Sequence, residues 1–437
     1  MLCVSRMRFG GSEESMRILG LLLAGLLLCG VSSPVGAAEV AQSRRGRDPS
    51  PQVAPADMKA LVAGSSEFAY ALYRALRGEP GNLFFSPYSI STALAMTYAG
   101  ARGETGEQMR KTLRFDLPEP KLHPAFNRLD LTLASRARRP AGRGEGKGDQ
   151  FQFSVANALW GQQGERLLPE FLDTLAENYG AGMNLLDFEH NADGARSAIN
   201  QWVADQTRGK IQNLIAPGMI HRSTRLVLTN AIYFKASWET PFDPKRDCTG
   251  EFHLLDGKTA GVEMMVGSPR CEYAEGEGYQ AIELPYLGES VGMVILVPAA
   301  GAFQAFEDGL TRERGEEIVQ GLRPHDVDLT MPKFRYESAF ALGRTLAGMG
   351  MSAAFGSGAD FSGIDGKRDI AIDEVVHKAL VSVDEAGTEA AAATGVMMAT
   401  MLYPRASLTI DRPFMFMIRD RDSGTVLFMG RVLNPRG

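Results

Sequence analysis

Cysteine is scarce: four residues in 437, two of which (Cys3 and Cys29) lie within the first thirty. That excludes a dense disulfide scaffold and a cysteine-rich metal site. Histidine is also scarce, with six residues and none spaced as a metal-ligand pair. Neither H-E-x-x-H nor a G-x-S-x-G nucleophile elbow occurs. No catalytic residue, metal or cofactor is assigned, and the chain is not expected to be an enzyme. A net charge of −6 offers no broad basic field for nucleic acid. No apolar run reaches 18 residues, so no membrane-spanning helix is expected.

What is present reads as an ordinary globular chain, 44% hydrophobic and 22% charged, long enough to build a large core. At the N-terminus, Arg17 precedes an apolar run from Ile18 to Cys29, and small residues follow as far as Ala38. This is the pattern of a signal peptide over residues 1–38, so the chain is expected to be exported, secreted or periplasmic, with no membrane anchor. Residues 39–57, polar and rich in Pro and Ala, read as a flexible tether. A single α+β domain is expected from 58 to 437. Cys248 and Cys271 remain in it as a candidate disulfide, with two unpaired thiols as the alternative.

Within the domain, Leu61, Phe68, Leu72 and Leu76 fall near helical spacing. Ser86-Pro87 is a helix start, with Ser86 as N-cap and Pro87 in the first turn. Arg225 to Lys235 reads as a long buried strand, Val327 to Tyr336 as another, and Ser338 to Met349 as a helix. A Gly/Pro-rich stretch carries Arg136, Arg138, Arg139, Arg143 and Lys147. It reads as a solvated loop, with a polyanion site over 136–147 as the alternative.

The informative segment runs from Ile370 to Phe414. Its first part alternates with period two, and one apolar face contains His377. From Asp384 to Val396 the chain turns small, without proline and without charge after Glu389. Thr388, Ala390, Ala392 and Thr394 would share one face, with Glu389 on the other. Such a segment can thread between existing strands, because small side chains fit and every backbone donor is available. A flexible Ala-rich linker is the competing reading.

This segment resembles the hinge of inhibitory serpins, and the resemblance extends over roughly residues 58–435. It rests on Asn82 to Ile90, on Thr229 to Trp238 followed by Pro241-Phe242, on Met331 to Phe334, on Val375 to Lys378 and on Asp411 to Phe414. It implies a serpin fold of three β-sheets and about nine helices, with an exposed reactive-centre loop at about 386–406. It also implies a monomeric inhibitor that forms a covalent acyl complex with a target serine protease. The loop, once cut, inserts into the main sheet.

The resemblance implies a hinge at Glu385, Gly387, Thr388, Glu389, Ala390, Ala391 and Ala392. It implies a breach contact through Trp238 and Lys333, and a polar shutter of Ser86, Ser89, Asn230 and His377. Counting from Gly387 puts the reactive bond at Met401-Leu402; counting back from Pro413 gives Leu402-Tyr403. Apolar residues there point to chymotrypsin-, elastase- or subtilisin-like targets. A non-inhibitory carrier or chaperone-like serpin is the alternative.

Overall fold

The computed structural model describes residues 38–136, 152–388 and 403–437. The chain begins with β1 (Glu39–Ala41) and α1 (Pro55–Leu76), which buries Leu61, Phe68, Leu72 and Leu76. Next come β2 (Leu83–Phe85) and α2 (Pro87–Tyr98). Ser86 caps α2 by accepting the Ser89 N–H at 3.1 Å, which satisfies one of the free donors of the first turn. Then follow α3 (Gly103–Thr112), α4 (Glu119–Arg136), β3 (Gln152–Gln162) and α5 (Pro169–Tyr179). Left-handed Gly180 ends α5 and turns the chain into β4 (Met183–Leu186). After α6 (Ala192–Gln206) comes β5 (Leu226–Ser237).

Five further strands run up to residue 298: β6 (Cys248–His253), β7 (Thr259–Gly267), β8 (Arg270–Gly276), β9 (Tyr279–Pro285) and β10 (Val291–Pro298). Helices α7 (Phe303–Asp308) and α8 (Arg312–Gly321) precede β11 (Arg323–Pro332) and β12 (Phe334–Ala341). Short α9 (Gly343–Leu346) and α10 (Ser362–Asp365) lead to β13 (Ile372–Asp384) and the two-residue β14 (Gly387–Thr388). The chain ends with β15 (Arg405–Thr409), β16 (Phe414–Asp420) and β17 (Val426–Val432).

The main sheet has seven strands in the order β1-β4-β3-β5-β14-β13-β12. A second network of ten strands runs β2-β17-β16-β10-β9-β8-β11-β7-β6, with β15 added beside β11. The three expected sheets thus appear as two networks. They merge because β11 pairs with β8 through its first residues and with β7 through its last. Ten α-helices are present among the described residues.

Helix α2 packs between β3 and β5 on one side and β17 on the other, and is buried around almost its whole circumference. Phe428 of β17 links the two sheets, stacked on Phe84 at 4.9 Å and meeting Phe234 of β5 edge-on at 5.5 Å. On the far face of the main sheet, α6 packs Ile199 and Val203 into a cluster with Trp160, Val227 and Ala231. Cover on both faces explains why β5 is buried almost continuously rather than alternating.

Four expectations change. Residues 39–54 are docked rather than a free tether: β1 pairs with β4, and α1 starts at Pro55. The expected helix over Ser338 to Met349 is in its first part the strand β12. The expected strand over Val327 to Tyr336 is split between β11 and β12, and the alternation of buried Phe334, Tyr336 and Ser338 with exposed neighbours carries β12 on to Ala341, so helix begins only at Gly343. Cys248 and Cys271 are both free, one exposed and one buried. Cys248 pairs with Met264 and Cys271 with His325, and Met264 faces Pro332. His325 and Pro332 lie seven positions apart along β11, roughly 23 Å at strand rise, far beyond disulfide reach. Fourth, Arg136 is not available to a polyanion. It lies against buried Asp420 at 3.2 Å and Asp422 at 2.7 Å. Arg138, Arg139, Arg143 and Lys147 lie outside the described residues, as does segment 1–37.

Candidate functional site

The long strands β5 and β13 run parallel at the centre of the main sheet and pair directly from Leu226/Ile372 to Tyr233/Leu380. Beyond that point they part. Gly387 and Thr388 occupy the gap as β14, antiparallel to both neighbours: Thr388 faces Ala236 on one side and Val383 on the other. Gly387 has a φ of 148°, and a Cβ there would sit 2.1 Å from the Ala236 carbonyl oxygen. Only glycine fits that approach. Thr388 is 1% exposed and exchanges a 2.8 Å hydrogen bond with the Tyr286 hydroxyl.

A tight turn brings the chain into the gap. Asp384 accepts the N–H groups of Ala386 and Gly387 at 2.9 and 3.2 Å. Trp238 closes the top of the gap: its indole N–H donates to the Asp384 carbonyl at 3.0 Å, and its ring stacks on Tyr286 at 4.6 Å. Lys333 lies beneath, with Nζ 2.8 Å from Glu385, 2.9 Å from Asp247 and 3.2 Å from Glu263. Burial alone would lower the Lys333 ammonium, but its bonds to Glu385, Asp247 and Glu263 hold it above its ordinary value. Burial likewise works to raise Glu385, and Lys333 overrides it, so Glu385 is held below the usual range. Asp247 is raised, first by burial and then by the neighbouring Glu385.

Below the gap, where β5 and β13 touch, a buried polar network crosses the sheet. His377 faces Asn230 across the strand pair, and Asn230 faces Asn157 on β3. His377 Nε2 accepts the Ser86 N–H at 3.2 Å, and Nδ1 bonds the Asn230 side-chain oxygen. The Asn230 amide donates to Ser89 Oγ at 2.6 Å and to the Asn157 side-chain oxygen. Ser89 Oγ donates to that same oxygen at 3.0 Å, and the Asn157 amide donates to the Ser89 carbonyl at 3.1 Å. Ser86 Oγ donates to the Leu427 carbonyl at 2.7 Å. Because Ser86 and Ser89 lie at the start of α2, this network fastens three strands to the helix beneath. Burial drives the His377 imidazole down to about 3, so it is neutral and carries its one proton on Nδ1.

The structure therefore brings Ser86, Ser89, Asn230 and His377 into one cluster, and Glu385, Gly387, Thr388, Trp238 and Lys333 into another. Sequence reasoning missed Asn157, Tyr286 and Asp247. Asn157 carried no signal of its own, since a polar residue in a strand reads as outward-facing. Glu389, Ala390, Ala391, Ala392, Met401 and Leu402 lie outside the described residues. Tyr403 is described, with the Arg270 guanidinium 4.6 Å above its ring. The chain then joins β11 through the parallel strand β15.

Comparison with known proteins agrees with this geometry. Residues 63–435 match the family described as Serpin (serine protease inhibitor). An uncharacterized serpin-like protein of Thermococcus kodakarensis is 40% identical over 383 residues, which is 86% of each chain. Leukocyte elastase inhibitor of Homo sapiens is 38% identical over 391 residues, 86% of this chain and all of that one. The solved structure of human thyroxine-binding globulin complexed with thyroxine superposes with a TM-score of 0.76 at 29% identity, covering 87% of this chain and all of that one. With the family's profile matched over nearly the whole described fold, the chain belongs to the serpins.

Proposed function

We propose that this serpin is an exported inhibitor that traps a serine protease covalently when the protease cuts its reactive-centre loop. The observation carrying the proposal is the hinge. Gly387 and Thr388 already form the first rung of a strand between β5 and β13. If that register continues, Ala390, Ala392 and Thr394 follow Thr388 on one face, and Thr394 comes opposite Asn230 and His377. Small residues at each of these positions let the strand advance without a packing clash. About twelve added ladder residues, at roughly 0.5–1.5 kcal/mol of net hydrogen bonding each, supply about 6–18 kcal/mol. That matches the whole stability of an ordinary domain and is enough to displace a bound protease.

Met401-Leu402 is the proposed reactive bond, suited to chymotrypsin-, elastase- or subtilisin-like enzymes. Family membership alone does not make a serpin an inhibitor, because function resides in the site and not in the fold. The test is to mix the protein with chymotrypsin and with pancreatic elastase, then resolve the products on a denaturing gel. A band at the summed mass, with a released peptide beginning at Leu402, supports the trap. Clean cleavage without that band makes the protein a substrate and rejects it.

A further inference from the structure

Just past the proposed reactive bond, the chain is caught on the second network. From Arg405 to Thr409 it runs as β15 beside Asp326 to Thr330 of β11. The Pro404 carbonyl already accepts the Asp326 N–H at 3.0 Å, and the proline ring fixes its own φ. Tyr403 comes before this ladder, yet it is half-buried while Pro404 and Arg405 are exposed. One face of its ring is covered by the Arg270 guanidinium, 4.6 Å from the ring centre. A guanidinium in that place is attracted by the electron-rich face of the ring.

Arg270 is itself held in position. It is the first residue of β8 and faces Asp326 across the antiparallel pair, and Asp326 faces Arg405 across the parallel one. The three side chains form a row of alternating charge over three strands, with Arg270 Nε 3.8 Å from Asp326 Oδ1. The turn leading into β8 is tied down too. The Val327 N–H donates to the Pro269 carbonyl at 3.3 Å, and the Ser268 hydroxyl donates to Asp328 at 2.7 Å. The cation is therefore a fixed platform, and Tyr403 rests on it.

Tyr403 is the second residue after Met401, and two residues of chain span at most about 7 Å. A protease that closes on Met401-Leu402 must seat Leu402 and Tyr403 in its pockets beyond the cut. Fixing Tyr403 beforehand removes freedom that the complex would otherwise lose on binding. It also holds the leaving side of the bond in one orientation for attack.

We propose that Arg270 is a positioning residue for the reaction at the bait bond, acting through the ring of Tyr403 to hold the leaving side ready for the protease. This rests on the reading that Met401-Leu402 is the reactive bond. The experiment mixes chymotrypsin with the wild type, Arg270→Ala, Tyr403→Ala and the double variant. It times the appearance of the new amino terminus by mass, whether or not a covalent band forms.

Arg270→Ala is expected to be cut about threefold more slowly, the effect of losing one exposed cation–ring contact. Tyr403→Ala is expected to be slower as well, and the double variant no slower than Tyr403→Ala, because Arg270 then has nothing to act on. In a Tyr403→Phe background, which keeps the ring, Arg270→Ala is again expected to cost about threefold. A general weakening of the fold would not follow the ring in this way. Equal rates in wild type and Arg270→Ala would overturn the proposal. So would effects that multiply in the double variant, because Arg270 would then act without Tyr403. Cutting slowed by Arg270→Ala with no covalent band keeps the positioning role and rejects the trap alone. A new amino terminus at neither Leu402 nor Tyr403, or no cut by chymotrypsin or subtilisin, rejects the reactive bond and the role of Arg270 with it.

Discussion

Acid should loosen the main sheet through His377. In the folded protein its Nδ1 proton is donated to Asn230, and Nε2 is occupied as the acceptor of the Ser86 N–H. A second proton would have to go on Nε2, where it would meet that N–H head-on. Burial holds the folded value at about 3, against an ordinary 6.5. Between these limits the unfolded or opened chain binds more protons than the closed one, so stability falls as pH drops through that window and is fully present above it.

From about pH 7.5 to about pH 5 the loss attributable to His377 is about 2 kcal/mol, or roughly thirtyfold in the equilibrium constant. His123, also buried and lowered to about 4, adds a loss of the same sign. The assay is urea unfolding at the two pH values for the wild type and for His377→Gln, whose amide does not titrate. The variant is expected to start less stable, since the strict geometry of the network is lost, yet to lose about 2 kcal/mol less on acidification. If both proteins lose stability equally, His377 is not the buried neutral group described above.

Two other substitutions or reagents probe the site. Thr388→Arg would force a charge into a position that is 1% exposed, which is strongly unfavourable without a partner. It is expected to abolish the covalent complex on a denaturing gel while leaving cleavage of the loop intact, whereas Thr388→Ser should keep the complex. In the chain beginning at Glu39, a thiol reagent is expected to label Cys248 in the native protein. Cys271 should be labelled only after unfolding, because burial pushes its thiol up to about 12. Two thiols that both vanish without reductant would show a disulfide instead.

The parts of the site that were legible in the sequence share a local signature. Ser86-Pro87 announces a capped helix from two adjacent residues. His377 stands out because an imidazole interrupts an apolar face, and the small residues after Gly387 stand out because a mere loop would carry more charge. Asn157, Tyr286 and Asp247 have no such mark. Asn157 gains its meaning only from the β3–β5 register that sets it opposite Asn230, a pairing across 73 residues of chain. The segment 39–54 misled in the opposite direction. Its composition is that of a linker, and the carboxylates that hold it, Asp173 and Glu177, lie some 130 residues away. Long-range partners of exposed polar residues leave no periodicity to read.

The parallel seam between β5 and β13 has a consequence for symmetry. A strand that enters it from Thr388 onward runs antiparallel to both walls, so the slot has a fixed polarity. The eight residue pairs of the seam would each be replaced by contacts with one incoming chain. Suppose the strand comes from a second copy of the protein rather than from its own hinge. One molecule then contributes a loop and the other a slot, two different surfaces facing each other. Such a contact cannot be two-fold symmetric. Each acceptor still has its own loop to donate, so association through this seam adds molecules in one direction and closes only if the rotation between copies makes a ring.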